Sequence, residues 1–374
     1  MLRISKSSLL LLVAAVCGLA APSAAQTPRL TNANMKPVAS SGALTAQFKA
    51  LVDAQVEPAW IAYTQPVVDG TLVSCCYGWS DNGSGQTCCV GCPLEGRTGV
   101  VSITDERSDS APPAPQQPIK LEGATDFVML FRIENRRLDR VRVYSADCAL
   151  DAGGRTVYAI TGVKASDSLA LLESLATTWP ATTMNRKTAP DSIVMGVALH
   201  RDPAADGVLK KLLEPSQPDD VRRRALFWMA RARGRAGFEA VRRAMREDPS
   251  ERVRKHAVFA ITQSREPEVV QVLIEAARSS PQPDVRGEAL FWMAQRAGKQ
   301  AEEAITRAIE QDPDTEVKVR AVAALGQLPK DEGVPLLINV AKTNTNPAVR
   351  KRAMFWLGQS KDPRAIDFFA SVLK

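Results

Sequence analysis

Five valines constrain the fold of this chain more than anything else in it: Val221, Val253, Val285, Val317 and Val349 stand 32 residues apart each time. Their surroundings repeat with them. A basic residue follows each one (Arg222, Arg254, Arg286, Lys318, Arg350), and four positions after the valine comes an alanine every time (Ala225, Ala257, Ala289, Ala321, Ala353). Leu226, Val258, Leu290, Val322 and Met354 come next, then Phe227, Phe259, Phe291, Ala323 and Phe355. Two positions further on stand Met229, Ile261, Met293, Leu325 and Leu357. A fixed period of about 20–50 residues belongs to a solenoid or propeller array, whose units bury their apolar faces only against their neighbours.

Each unit reads as two helices. Counted from the valine, the apolar positions 0, 4, 5 and 8 share one helical stripe, and the alanine lets a partner helix come close. Prolines and aspartates before the valine (Pro218-Asp219-Asp220, Pro283-Asp284, Asp312-Pro313-Asp314) end the previous helix and cap the new one. A second helix follows in each copy, over 239–245, 268–276, 303–309, 334–340 and 365–373. Helices this short need stacking to be stable. The basic residue sits in the first turn, where the helix dipole disfavours a cation by about 0.3–1 kcal/mol. Its presence in every copy predicts a structural partner, a carboxylate or loop carbonyl of the adjacent repeat, giving a ladder along the stack.

Val-Arg-x-x-Ala-(Leu/Val)-(Phe/Ala) in five copies resembles the HEAT-like repeats of the bilin-lyase type. The resemblance spans 191–374 as about six units. It implies a right-handed α-solenoid whose usual work is binding other proteins. The motif is specific for fold and nearly silent on function, and nothing in it marks a chromophore site.

The rest of the chain is of another kind. Arg3 and Lys6 precede an apolar run from Leu9 to Ala21, and Ser23-Ala24-Ala25 offers small residues for cleavage before Gln26. This predicts a signal peptide over 1–25, cleaved after Ala25, and a bacterial protein sent to the periplasm or secreted. Cys17 follows a poor lipobox, so a lipoprotein is not expected, and no other apolar run is long enough to span a membrane. Six cysteines remain (Cys75, Cys76, Cys88, Cys89, Cys92, Cys148), all before the repeats. An even number in an exported chain predicts disulfides, with pairing left open. A metal or redox site at Cys88-Cys89-Val90-Gly91-Cys92 is the rival reading.

Residues 26–41 read as a flexible leader, and 42–163 as a small β-rich domain stapled by disulfides. Ser40 or Ser41 would cap a helix over 43–52. Strands are expected at 60–63, 66–68, 99–104, 127–133, 138–144 and 156–161. The cysteine segment 75–92 and the proline-rich 111–118 read as loops. A helix over 168–175 and a Thr- and Pro-rich joint make up the connection 164–190. Residues 191–200 and 205–213 form a degenerate first unit. The fold class expected overall is mainly α: a C-terminal solenoid behind a stapled β-rich domain that resembles no family.

No catalytic residue, metal ligand or cofactor is assigned. The two histidines, His200 and His256, lack a Cys, Asp or Glu at ligand spacing, and no phosphate loop or nucleophile elbow occurs. Trp228, Trp292 and Trp356 alternate with Ala260 and Ala324, which predicts large-against-small packing between repeats. Adjacent helical residues point about 100° apart, so of each Phe–Trp pair one ring must sit at the edge. Charge gives the functional lead. The chain carries +7, and nine arginines against one acid, Glu239, lie between Arg222 and Arg246. Such a field attracts anions. Export argues against nucleic acid and for an acidic protein, or anionic envelope groups such as lipid phosphates, with the protein partner bound through Arg222, Arg223, Arg224, Arg231, Arg235, Arg242, Arg243 and Arg246. The expected function is an exported, non-enzymatic protein-interaction scaffold. The alternatives are an enzyme or maturation factor with a pocket between the domains, and a redox or metal module at the cysteines. Partner and oligomeric state are not legible.

Overall fold

The computed structural model describes residues 29–71, 73, 92–95, 125–178, 190–296 and 299–372. Predicted features at 1–28, 74–91, 96–124 and 179–189 lie outside them. These include the signal peptide, most of the cysteine segment, the strand at 99–104 and the proline-rich loop.

A mixed sheet and a stack of helix pairs share one body. The sheet has five strands in the order β2 (Asn34–Ala39), β8 (Thr156–Thr161), β3 (Ala59–Pro66), β5 (Asp126–Glu134), β6 (Arg137–Ser145). β2 runs parallel to β8 and β8 parallel to β3, while β3, β5 and β6 are antiparallel neighbours. The β5–β6 turn places Asn135 and Arg136 at φ of 51° and 59°, the left-handed pair a tight hairpin requires. A small second sheet orders β1 (Leu30–Thr31), β7 (Leu150–Asp151) and β4 (Cys92–Pro93).

The leader predicted over 26–41 is therefore corrected. Six of its residues form β2, in register from Asn34 opposite Thr156 to Ala39 opposite Thr161. Pro37 is tolerated because β2 is an edge strand. The helix expected at 43–52 is α1 (Leu44–Ala54), and it carries Ala43 at its N-cap with no side-chain cap from either serine.

Alternation along β3 and β5 gives the sheet two apolar faces. Ile61, Tyr63, Phe127, Met129 and Phe131 point to the helices, and Trp60, Ala62, Val128 and Leu130 point away. Phe48 of α1 meets Phe131 edge-on at 4.9 Å. Next come α2 (Ala165–Thr177), α3 (Pro190–Leu199) and α4 (Ala204–Leu212), the last two being the predicted degenerate unit. A Cβ at Gly196 would lie 2.7 Å from Met129 Sδ, so glycine is what lets α3 lie flat on β5.

The array continues with α5 (Asp219–Ala232), α6 (Gly234–Glu247), α7 (Glu251–Ile261), α8 (Val269–Ser279), α9 (Pro283–Ala294), α10 (Lys299–Gln311), α11 (Thr315–Leu325), α12 (Lys330–Thr343), α13 (Pro347–Ser360) and α14 (Pro363–Val372). Each odd-numbered helix from α5 on opens at the repeated valine. α5 belongs to two cores: Ala225, Trp228 and Met229 join the sheet's core, while Leu226 and Ala230 join the core of the later repeats. No layer boundary separates sheet from array, because α3 and α4 give the first repeat an apolar neighbour.

Candidate interaction surface

What is available for binding depends on what the stack already uses, and the repeated cation is used. Arg222 forms a two-point ion pair with Asp248, Nε to Oδ2 at 3.0 Å and Nη2 to Oδ1 at 3.1 Å. Arg254 does the same with Asp284 at 3.1 and 3.2 Å, and Arg286 with Asp312 at 2.8 and 2.9 Å. Asp248 and Asp312 stand at the end of the arginine's own second helix, in the turn into the next repeat, and Asp284 lies in the first turn of the next repeat's first helix, so each rung ties an arginine to the junction with the following repeat. The Nη1 group of each arginine also donates to a carbonyl of the turn before its own helix: Gln217, Asp248 and Ser280. Burial pushes Asp312 up, but the Arg286 guanidinium and the Asp314 N–H outweigh it and hold the carboxyl below its usual range. The last two copies keep the carbonyl contact alone: Lys318 donates to Glu310 O at 3.1 Å, Arg350 to Asn344 O at 2.9 Å and Thr345 O at 2.8 Å.

This corrects one member of the predicted binding set. Arg222 is 3% exposed and bound on all sides, so it holds the stack and faces no partner. Arg223 pairs with Asp220, and Arg224 donates to the Asp220 carbonyl one turn back, both on the α5 surface. Arg235 is tied to Glu239 at 2.7 Å and Glu268 at 2.6 Å. Arg231 at the end of α5, with Arg243 and Arg246 on α6, is exposed. Arg242 leans over the Phe238 ring at 5.7 Å and lies 3.6 Å from Glu239.

The aromatic positions divide as helix geometry requires. Trp228 is buried and donates to Asp191 on α3 at 3.2 Å. Trp356 lies over Gly326 of the preceding repeat, where a Cβ would come within 2.6 Å of the indole. The tryptophans thus reach backward, and Gly196 occupies the same repeat position where β5 stands in place of a preceding repeat. The phenylalanines sit at the edge, Phe355 being 51% exposed. Phe227, Phe259 and Trp292 touch in series, with centroids 5.9 and 5.0 Å apart.

A polar cluster that sequence reading missed joins sheet and array. The Ser168 hydroxyl of α2 donates to the Tyr63 hydroxyl of β3 at 3.0 Å and lies 2.9 Å from His200 Nε2 at the end of α3. Phe127 meets the imidazole edge-on at 5.4 Å. A serine–histidine pair suggests nucleophilic chemistry. Here Ser168 and His200 are 0% exposed, which leaves substrate no approach. Burial holds His200 neutral down to about pH 4 and pushes the Tyr63 phenol up. His256, on α7 against Phe259, is likewise held near 4 by burial and then by Arg223.

Of the six cysteines, Cys148 is buried against the outer sheet face beside Leu150. Cys75, Cys76, Cys88, Cys89 and the side chain of Cys92 lie outside the described residues. Among the described residues no group of three His, Cys, Asp or Glu side chains is placed to hold a metal, and no helix is long and apolar enough to cross a membrane.

Two hollows open along the edge formed by the ends of the even-numbered helices. One, of about 170 Å³, lies between α6 and α8 on a floor of Met245, Val272, Ala276 and Val285. The other, of about 740 Å³, lies between α8 and α10 beside Arg278, Arg307 and Gln311.

No curated protein matches the sequence. Similar solved structures include human deoxyhypusine hydroxylase, at 18% identity over 54% of this chain and 77% of that one, TM-score 0.24. The CpcE–CpcF phycocyanin lyase of Nostoc sp. PCC7120 is similar at 18% identity over 45% of this chain and 70% of that one, TM-score 0.31. Kap95p, solved with RanGDP, is similar at 17% identity over 55% of this chain and 31% of that one, TM-score 0.33. Residues 205–294 and 302–374 match the family model for HEAT repeats. The C-terminal part of this chain, from residue 205 to residue 374, is an array of HEAT repeats.

Proposed function

We propose that the protein is an exported, non-enzymatic scaffold that binds an acidic protein partner on its first full repeat. The observation that carries this reading is the division of labour among the arginines. The ladder takes Arg222, Arg254 and Arg286 into the stack, while Arg231, Arg242, Arg243 and Arg246 remain at the surface within two adjacent helices. Exposed ion pairs contribute little to stability, so the fold has small use for four further arginines here. A stiff stack presents such a surface without ordering it on binding, which lowers the entropic cost. The sheet and the degenerate repeat cover the near end of the array. The six cysteines are assigned to disulfides, with the pairing left open.

The test is capture from a bacterial envelope fraction at low and high salt, with wild type and an Arg231→Glu, Arg242→Glu, Arg243→Glu, Arg246→Glu variant. The reading expects an acidic partner that is held by wild type, weakened by salt and lost by the variant. Identical catches from both baits would remove the arginine surface from the account. Thiol titration of the denatured, unreduced protein checks the cysteines, with no free thiol expected.

A further inference from the structure

The two hollows at the array edge adjoin across the end of α8, and the pair makes up a trough. Ser279 and Ser280, at the end of α8, line both of them. The α6–α8 end is an apolar cup rimmed by Arg242 and Arg246. Its volume of about 170 Å³ suits a single side chain, since a cavity of about 150 Å³ accommodates benzene. The α8–α10 end is wider and polar, with Arg278 and Arg307 along it and the Arg286–Asp312 rung in its wall. Four arginines outside the rungs therefore line the trough, against Glu275 and the Glu303 that pairs with Arg307 at 2.7 Å.

Helix carboxyl ends carry partial negative charge, and one cation in the last turn offsets it. Arg278 alone fills that role on α8. On α6 only Arg246 stands in the last turn, and Arg242, one turn earlier, lines the cup while leaning over the Phe238 ring. An apolar cup within a cationic rim matches a chain segment that pairs one apolar side chain with nearby carboxylates, the usual division between anchor and rim. A flat acidic surface would leave the cup empty.

We propose that this trough takes an extended acidic peptide segment of the partner, with one apolar side chain in the α6–α8 cup and carboxylates against Arg278 and Arg307. The proposal rests on the scaffold reading and names the form of its partner. It differs from that reading in predicting that the apolar anchor matters and that contacts continue beyond the first repeat.

The probe is a short fluorescent peptide rich in glutamate with one central leucine, compared with the same peptide carrying serine instead, by fluorescence anisotropy on the whole protein. Wild type should bind the leucine peptide about tenfold tighter or more. Ala276→Phe fills the cup without changing charge and should reduce that advantage to about twofold or less. Arg278→Glu with Arg307→Glu, at one exposed and one half-buried position, should weaken both peptides together. Equal binding of the two peptides by wild type, no binding of either, or an undiminished leucine advantage in Ala276→Phe would overturn the proposal. An unchanged unfolding midpoint confirms that each variant is folded. Envelope capture separates the two levels. A partner lost by the α6 arginine variant but kept by Ala276→Phe and by the Arg278/Arg307 variant sinks the trough and spares the scaffold, whereas a partner kept by all of them sinks both.

Discussion

The array joins repeat to repeat with one device used again and again, whereas the sheet is joined to the array by side chains that occur once. In the array, an arginine reaches forward to an aspartate and back to a turn carbonyl, and the contact recurs at Arg222, Arg254 and Arg286. At the joint, Tyr63, Ser168 and His200 meet in an otherwise apolar core, with Gly196 seated under Met129. Repetition makes a local lesion in the array a weakness of one interface among several. A unique joint has no second copy, and a lesion there releases a whole layer.

The largest effect should come from a rung. Asp312→Ala leaves the buried Arg286 guanidinium unpaired and should cost about 3–5 kcal/mol, read as a lowered urea midpoint. Replacing both partners, Arg286→Met with Asp312→Leu, should recover most of that loss, because the desolvation cost disappears with the charges. At the joint, Ser168→Ala strands two buried polar groups and should cost about 1–3 kcal/mol. It should also raise hydrogen exchange in β3 and α3 while leaving α11–α13 unchanged, which distinguishes a joint lesion from an array lesion.

Acid should act on the joint as well. His200 stays neutral in the folded chain down to about 4, against an ordinary value of 6.5. Between those values the unfolded chain binds more protons, so stability is full above about pH 6.5 and falls as pH drops toward 4. His256 shifts in the same direction. His200→Gln should therefore flatten the decline between pH 6.5 and 4.5 without abolishing it, measured by urea unfolding at each pH. An equally steep decline would show that His200 does not titrate on unfolding. A smaller effect is expected at the far end of the ladder. Arg350 contacts turn carbonyls and no carboxylate, so Arg350→Ala should cost about 1 kcal/mol.

The same contrast explains what could be read from the chain alone. The period marks the array, because offsets 0, 4, 5 and 8 recur in five copies. The ladder was legible for that reason: a cation recurring in the wrong turn of a helix needs a recurring partner. The tryptophans were legible as packing residues but their neighbours were not, since Trp356 lies over Gly326 and Trp292 meets Phe259. The facing of single residues was less legible. A run of nine arginines looks like one patch, yet Arg222 turns inward one residue away from Arg223, and only the helix phase separates them. The Arg278 side of the trough carried a faint signal, since it stands one period after Arg246. Strand β2 went unseen because Lys36 and Pro37 look like a leader and its partner β8 lies far along the chain. The Tyr63–Ser168–His200 contact joins positions 105 and 32 residues apart, with no motif to connect them.

The proposed division of labour sets arginines of the ladder to hold the stack and those beside them to meet a partner. One paired measurement tests it: urea unfolding and envelope capture on the same preparation of the Arg231→Glu, Arg242→Glu, Arg243→Glu, Arg246→Glu variant, with Asp312→Ala alongside. The account predicts an unfolding free energy within about 0.5 kcal/mol of wild type per substitution and loss of the partner for the first. For Asp312→Ala it predicts the reverse, a stability loss several times larger with the partner kept at temperatures where the array is folded. A charge-reversed variant that unfolds like Asp312→Ala, or that still holds every protein wild type holds, would contradict it.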